Sequence, residues 1–194
     1  NAKWFAIYDG HGGSKCSQFL KDKLINIFQF DRRRDIPNAL RKAFIEADAE
    51  WKKKGDNSGS CALVIFIYNN ICYAANLGDS RAILMINSSV NAIKLPKIIN
   101  LQITKSKREL SKQAERYIKQ LDNINFIRGY DTITGPLRVF PGRLATTRSF
   151  GDFEAKDANE KIIINEPEIT SFEIDDHDVI VIGSDGLWDK FDNT

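Results

Sequence analysis

Two acidic turns each follow a nearly continuous apolar run. Residues 4–8 (WFAIY) lead into DGHGG at 9–13, and residues 179–183 (VIVIG) lead into SDGLWD at 184–189. A carboxylate at the end of a buried strand is costly unless something compensates its charge. Mg²⁺ and Mn²⁺ prefer carboxylate, carbonyl and water oxygens, and neither turn has the His and Cys spacing that zinc requires. The turns therefore predict a centre for hard divalent cations, with the imidazole of His11 beside it.

The prediction depends on having two such turns, because a single Asp-Gly turn most often only closes a loop. In the first turn Gly10 has no Cβ, which allows its carbonyl oxygen to approach an ion closely. From the residues alone, the pattern indicates a carboxylate-bound metal centre with an accessible imidazole. It does not identify a substrate.

Five short sequence motifs occur along the chain, each of them once. They are YDGHGG at 8–13, GSCALV at 59–64, NLGDSRA at 76–82, LATTRSFGD at 144–152 and GSDGLWD at 183–189. In order and approximate spacing, this set resembles the metal-dependent serine/threonine protein phosphatases of type 2C. The resemblance covers most of the chain, and it implies hydrolysis of phosphoserine and phosphothreonine, with phosphoproteins as the partners.

The resemblance also implies roles for individual residues. The family uses two Mn²⁺ or Mg²⁺ ions in a complete active site, and Asp9 resembles the carboxylate that bridges them. Gly10 resembles the residue that offers its backbone carbonyl, and Asp185 resembles a ligand from the opposite sheet. Asp189 resembles an acid that helps to hold an additional, weaker metal in some members. His11 resembles the general acid near the leaving oxygen.

The implied reaction suits these residue types. Metal binding lowers the pKa of a water that bridges two ions, toward about 7 in strong cases, so that it attacks phosphorus near neutral pH. A serine alkoxide leaves poorly, and a protonated imidazole within reach helps by about 10²–10⁴-fold. No covalent nucleophile is required, and the three cysteines lack the CxxxxxR signature of the cysteine-based phosphatases.

Four further residues have less specific interpretations. Asp79 and Asp152 are acids at turns and are expected to be structural. His177 lies in the acidic sequence DDHD, which is typical of a solvated loop. Trp188 is expected to pack beneath the site without contacting substrate.

The chain departs from the family pattern in three places. Family members have an upstream segment with a phosphate-binding arginine and a metal-binding acid, and a downstream segment with another metal-binding aspartate. The sequence therefore predicts one phosphatase catalytic domain over residues 1–194 that lacks its N-terminal and C-terminal segments, with little turnover by itself. A local alignment places Lys105 where the family has an aspartate, which predicts a weak or absent additional metal site. These departures leave open a phosphatase-like adaptor that binds protein partners without catalysis.

Apolar periodicity predicts the elements that position these residues. Helices are expected over 14–28, 37–54 and 107–121, and strands over 4–8, 61–68, 71–76, 81–86, 162–164, 169–174 and 179–183. Residues 122–161 are expected to be irregular. Because helices and hairpins come in separate blocks, the pattern favours antiparallel sheets. The resemblance implies an α+β fold in which two antiparallel sheets form a sandwich flanked by helices, a four-layer αββα arrangement incomplete at both ends.

Composition excludes several other classes of protein. The 194 residues are 42% hydrophobic and 28% charged with a net charge of +2, which is typical of a globular chain that does not bind nucleic acid. The longest apolar run, residues 61–68, is far shorter than the roughly 20 residues of a membrane span. Three cysteines without a CxxC pair predict buried free thiols in a reducing compartment, hence an intracellular protein, cytoplasmic or nuclear. A monomer is expected.

Overall fold

The computed structural model describes residues 2–31, 35–86, 97–100, 144–158 and 163–191. Its elements are β1 (Ala2–His11), α1 (Lys15–Ile27), α2 (Ile36–Lys52), β2 (Gly59–Tyr68), β3 (Ile71–Leu77), β4 (Arg81–Ile86), β5 (Lys97–Asn100), α3 (Phe153–Ala158), β6 (Glu168–Glu173), β7 (Val179–Gly183) and α4 (Asp185–Trp188). The helix predicted over 107–121 and the residue Lys105 lie outside the described residues.

The strands form two antiparallel sheets, as the order of the blocks predicted. The first sheet has the order β1-β2-β3-β6 and the second has the order β5-β4-β7. Asn69 and Asn70 join β2 to β3 with φ angles of 51° and 59°. Two consecutive left-handed residues match the right-handed twist of the flanking strands, and asparagine tolerates this conformation better than most residues. The predicted hairpin is thereby confirmed.

Strand β2 lies at the centre because it is buried on both faces. On one face, Val64 and Phe66 pack with the apolar side chains of α1 and α2. On the other face, Leu63 and Ile65 pack with Leu84 of the second sheet and its neighbours. Helices, first sheet and second sheet therefore form three consecutive layers. The α+β class and the two antiparallel sheets are confirmed, and a second helical layer stays a prediction.

Helix α2 confirms the helix predicted over 37–54 and buries one stripe of side chains along its length. The residues that it buries are Ile36, Leu40, Ala43, Phe44, Ala47, Asp48 and Trp51. Its N-terminus is capped by Asp35, whose Oδ1 accepts the N–H of Asn38 at 3.3 Å. Asp48 is the one carboxylate among these buried residues, and a carboxylate is rarely buried without partners.

Three segments differ from the sequence prediction. β1 continues past Tyr8 to His11 because Asp9, Gly10 and His11 pair with the first residues of β2. Within residues 122–161, which were predicted to be irregular, the described part contains helix α3. Of the strand predicted over 162–164, the structure describes residues 163 and 164, which contain one bridge, between Ile164 and Arg148. The extension of β1 and the bridge at Ile164 arise from pairing between distant segments, which local propensity does not register.

In the part of the chain that the structure describes, no helix combines the length and the apolar character needed to cross a membrane.

The three cysteines are buried free thiols, as predicted. Burial raises the pKa of Cys72 to about 12, and it raises the pKa values of Cys16 and Cys61 as well. Because the thiolate is the reactive form, we expect all three thiols of the folded protein to react with Ellman's reagent at pH 8 at least about 10²-fold more slowly than in denaturant. Time-resolved absorbance measures this, and rapid reaction of any one of them in the folded protein would contradict it.

Candidate active site

A cavity of about 680 Å³ opens where β1 and β7 end. The residues that line it are Asp9, Gly10, His11, Gly12, Asn57, Cys61, Asp79, Leu144, Ala145, Thr146, Asp152, Glu154, Ala155, Asp185 and Asp189. All five residues that the sequence assigned to metal binding or catalysis are among them. The structure thus brings together the two acidic turns, which stand near opposite ends of the chain.

Because side chains alternate along a strand, the residues of the first turn lie on two different faces of β1. Asp9 and His11 share one face of β1, and Gly10 faces the other way, toward helix α1. A Cβ at Gly10 would lie 2.6 Å from Oγ of Ser17 in α1. Close packing of α1 on β1 therefore favours glycine at this position, since a larger residue would force Ser17 to move. This reason differs from the sequence-based one, which was the approach of an ion to the carbonyl oxygen.

The second turn is held in place by Trp188. Its indole N–H lies 2.9 Å from the carbonyl oxygen of Gly183 and 3.0 Å from that of Arg81, so helix α4 folds back onto the ends of β7 and β4. Trp188 supports the site from outside the set of lining residues, in line with the expectation. The N–H of Asp189 bonds to the carbonyl of Asp185 at 2.8 Å, which puts these two acids one helical turn apart on the cavity.

Asp9 and Asp185 interact directly. The pKa of Asp9 is raised, first by its burial, then by a hydrogen bond to Asp185 and by the negative charges of Asp185 and Asp79, against a smaller opposing effect of His11. Two carboxyl groups that share a hydrogen bond cannot both be ionised cheaply. A bound cation would relieve the repulsion, because it favours the ionised form of both.

His11 forms an ion pair that the sequence did not predict. Its Nε2 lies 2.7 Å from Oδ2 of Asp152. Burial disfavours the imidazolium, but the hydrogen bond and charge of Asp152, together with the charges of Asp79 and Asp9, outweigh it and raise the pKa of His11. Asp152 was expected to be structural, and the structure makes it the direct partner of the imidazole.

The backbone that carries Asp152 has an unusual conformation. Gly151 and Asp152 both lie in the left-handed region, with φ angles of 69° and 52°. The turn packs so tightly on the start of β2 that a Cβ at Gly59 would lie 2.4 Å from both Oδ2 of Asp152 and Nε2 of His11. The sequence signal that was available is a Gly-Asp pair before a helix. It indicates a turn and gives no hint that the turn reaches His11.

The chemistry of the lining fits a hard divalent cation. It contains six carboxylates, those of Asp9, Asp79, Asp152, Glu154, Asp185 and Asp189, and no Lys or Arg among the described residues. Within those same residues, no three His, Cys, Asp or Glu side chains are grouped so that they could hold a metal by themselves. Mg²⁺ is usually bound through one or two carboxylates, with water and substrate phosphate completing its shell. The Asp9–Asp185 pair meets that requirement.

The family model described as Protein phosphatase 2C matches residues 1–194. A probable protein phosphatase 2C of Caenorhabditis elegans is 32% identical over 204 aligned residues, which cover 98% of this chain and 51% of that relative. The chain spans about half the length, or less, of the curated relatives it matches.

Solved structures show the same fold. A sex determining protein of Caenorhabditis elegans superposes with a TM-score of 0.70 at 26% identity, over 98% of this chain and 45% of the other. A phosphatase from Toxoplasma gondii also gives a TM-score of 0.70, at 19% identity, over 95% of this chain and 63% of the other. At that identity the likeness to the second structure concerns the fold alone.

Proposed function

The chain belongs to the protein phosphatase 2C family, and we propose that its site hydrolyses phosphoserine and phosphothreonine in proteins with the aid of Mn²⁺ or Mg²⁺. The observation that carries this proposal is the meeting of the Asp9–Asp185 pair and the His11–Asp152 pair on one cavity. The Asp9–Asp185 pair is suited to binding cations, and the His11–Asp152 pair is suited to donating a proton. Together they supply what cleavage of an unactivated phosphate ester requires.

The carboxylates of Asp9 and Asp185, with the carbonyl oxygen of Gly10, would hold the cations, and Asp189 would contribute to an additional one. When bound, such ions act as Lewis acids on phosphoryl oxygens and lower the pKa of water. The carboxylates that line the cavity make cations necessary for phosphate to bind there. The described lining has six carboxylates and, within the described ranges, no Lys or Arg, so a phosphate dianion that enters it is repelled unless cations compensate that charge.

His11 would protonate the leaving alkoxide. Because Nε2 is bonded to Asp152, the proton leaves from Nδ1. The hydrogen bond from Asp152 would stabilise the imidazolium until then, in line with the raised pKa of His11. General acid catalysis of this kind contributes about 10²–10⁴-fold for a poor leaving group.

The test is release of phosphate from phosphoserine and phosphothreonine peptides by the full-length protein. We expect release in the presence of Mn²⁺ or Mg²⁺ and none above the buffer rate after chelation, with recovery when the metal is restored. Calorimetric titration with Mn²⁺ is measured in parallel. A protein that binds no Mn²⁺ and releases no phosphate would overturn the proposal and favour the adaptor instead.

A further inference from the structure

Helix α2 contains a buried carboxylate, that of Asp48, and both of its oxygens accept hydrogen bonds. Asp48 is 3% exposed. Its Oδ1 accepts the backbone N–H of Gly151 at 2.8 Å, and its Oδ2 accepts from Nζ of Lys156 at 2.8 Å and from Nδ2 of Asn165 at 2.9 Å. All three donors come from the segment on either side of Asp152, which approaches α2 only in the folded chain. Asp48 therefore connects α2 to the turn that carries the partner of His11.

That turn needs an external constraint. Left-handed backbone at a residue other than glycine is strained and persists only where the surroundings enforce it. Asp152 has a φ of 52°. The turn is fixed from one side by contact with β2, because a Cβ at Gly151 would lie 2.3 Å from the carbonyl oxygen of Ser58. Asp48 fixes it from the other side, through the N–H of Gly151.

We propose that Asp48 is a positioning residue, which holds the Gly151–Asp152 turn so that the Asp152 carboxylate meets Nε2 of His11. This inference rests on the proposed function for its kinetic consequences. Asp48 itself does not line the cavity and touches no reacting atom. Its effect on the reaction passes through Asp152.

Asparagine at position 48 is the informative substitution. It keeps the size of the side chain but has one acceptor oxygen and one donor group. If the oxygen accepts from Gly151, the amide faces the donors of Lys156 and Asn165; in the other orientation, the amide faces the N–H of Gly151. Asp48→Asn therefore loses part of the anchor whichever way the amide turns.

A second ion pair between α2 and α3 provides a matched control. Nζ of Lys52 lies 2.9 Å from Oδ1 of Asp157, on the same two helices, but both side chains are exposed. Asp157→Asn removes an ion pair between these helices without touching the turn. A purely structural role for Asp48 would predict that both variants act only on stability.

The first readout is the imidazole NMR spectrum of the full-length protein, in which the His11 resonances are identified by their loss in His11→Gln. We expect Asp152→Asn and Asp48→Asn to shift the His11 resonances in the same direction, and Asp157→Asn to leave them in place. Lys156→Gln removes the charge and shortens the side chain but leaves the hydrogen bonds from Gly151 and Asn165 to Asp48, so its shift is expected to be smaller and in the same direction. Unchanged His11 resonances in both Asp48→Asn and Lys156→Gln would overturn the proposal.

The second readout is a kinetic double-mutant cycle with a phosphoserine peptide. Asp48→Asn is expected to lower kcat about 10–10²-fold, with KM within about twofold, since a small misplacement of a catalytic group has effects of that size. In the Asp152→Asn background, Asp48→Asn is expected to change kcat by less than about twofold. Losses that multiply in the double variant would mean that Asp48 acts independently of Asp152, which contradicts the proposal. If the wild type releases no phosphate, the proposed function fails, and the NMR readout still decides the role of Asp48.

Discussion

Replacement of Asp9 or Asp185 by asparagine is expected to abolish phosphatase activity and, at the same time, to make the metal-free protein more resistant to heat. Activity falls because each carboxylate would hold a cation whose contribution to the transition state is several kcal/mol, which corresponds to a loss of about 10³-fold or more in kcat. Stability rises because the raised pKa of Asp9 shows that its ionised form is disfavoured in the folded chain. An amide at either position removes that repulsion.

Three measurements check this prediction in the full-length protein. They are kcat with a phosphoserine peptide, the midpoint of thermal unfolding without metal, and the increase in that midpoint when Mn²⁺ is added. The wild type is expected to gain stability from Mn²⁺ by mass action, and both variants are expected to lose most of that gain.

Asp176→Asn is the matched control, because Asp176 lies in the exposed loop before β7 and not on the cavity. It should leave all three quantities unchanged. Wild-type kcat in both Asp9→Asn and Asp185→Asn would exclude the assignment of these carboxylates to metal binding. A lower unfolding midpoint in the metal-free variants would contradict the repulsion between them.

Replacement of His11 by glutamine is expected to reduce kcat by about 10²–10⁴-fold for a phosphoserine peptide. The loss should be much smaller for an aryl phosphate such as p-nitrophenyl phosphate, whose phenolate leaves without protonation. The difference between the two substrates isolates the proton donor from any general damage to the site. Asp152→Asn is expected to show the same dependence on the leaving group, because Asp152 bonds Nε2 and raises the pKa of His11.

The other histidine of the chain provides the control. His177 lies in an exposed turn between β6 and β7, away from the cavity. His177→Gln should have wild-type kcat with both substrates. An equal loss for peptide and aryl phosphate in His11→Gln would assign His11 to binding or structure and not to proton delivery.

Much of the molecule could be predicted from the sequence because the relevant signals are local. The helices at α1 and α2, the hairpin at Asn69-Asn70 and the strands β4 and β7 follow from periodicity and turn residues within a few positions of one another. Asp9 and Asp185 were found in the same way, since each stands at the end of an apolar run. The family followed from five motifs in register, and no single motif would have been sufficient.

The tertiary structure alone determined which side chains the buried and cavity-lining carboxylates contact. Asp48, Asp79 and Asp152 belong to ordinary local contexts, a helix stripe and two turns, and none of them differs from a structural acid by sequence alone. Packing of residues 148–152 against the start of β2 carries Asp152 to His11. Packing of Gly151, Lys156 and Asn165 against α2 gives Asp48 its three donors. Hydrogen bonds and ion pairs act over about 3 Å in space, whereas sequence patterns report neighbours along the chain. Contacts between residues that are a hundred positions apart therefore emerge only when the layers pack.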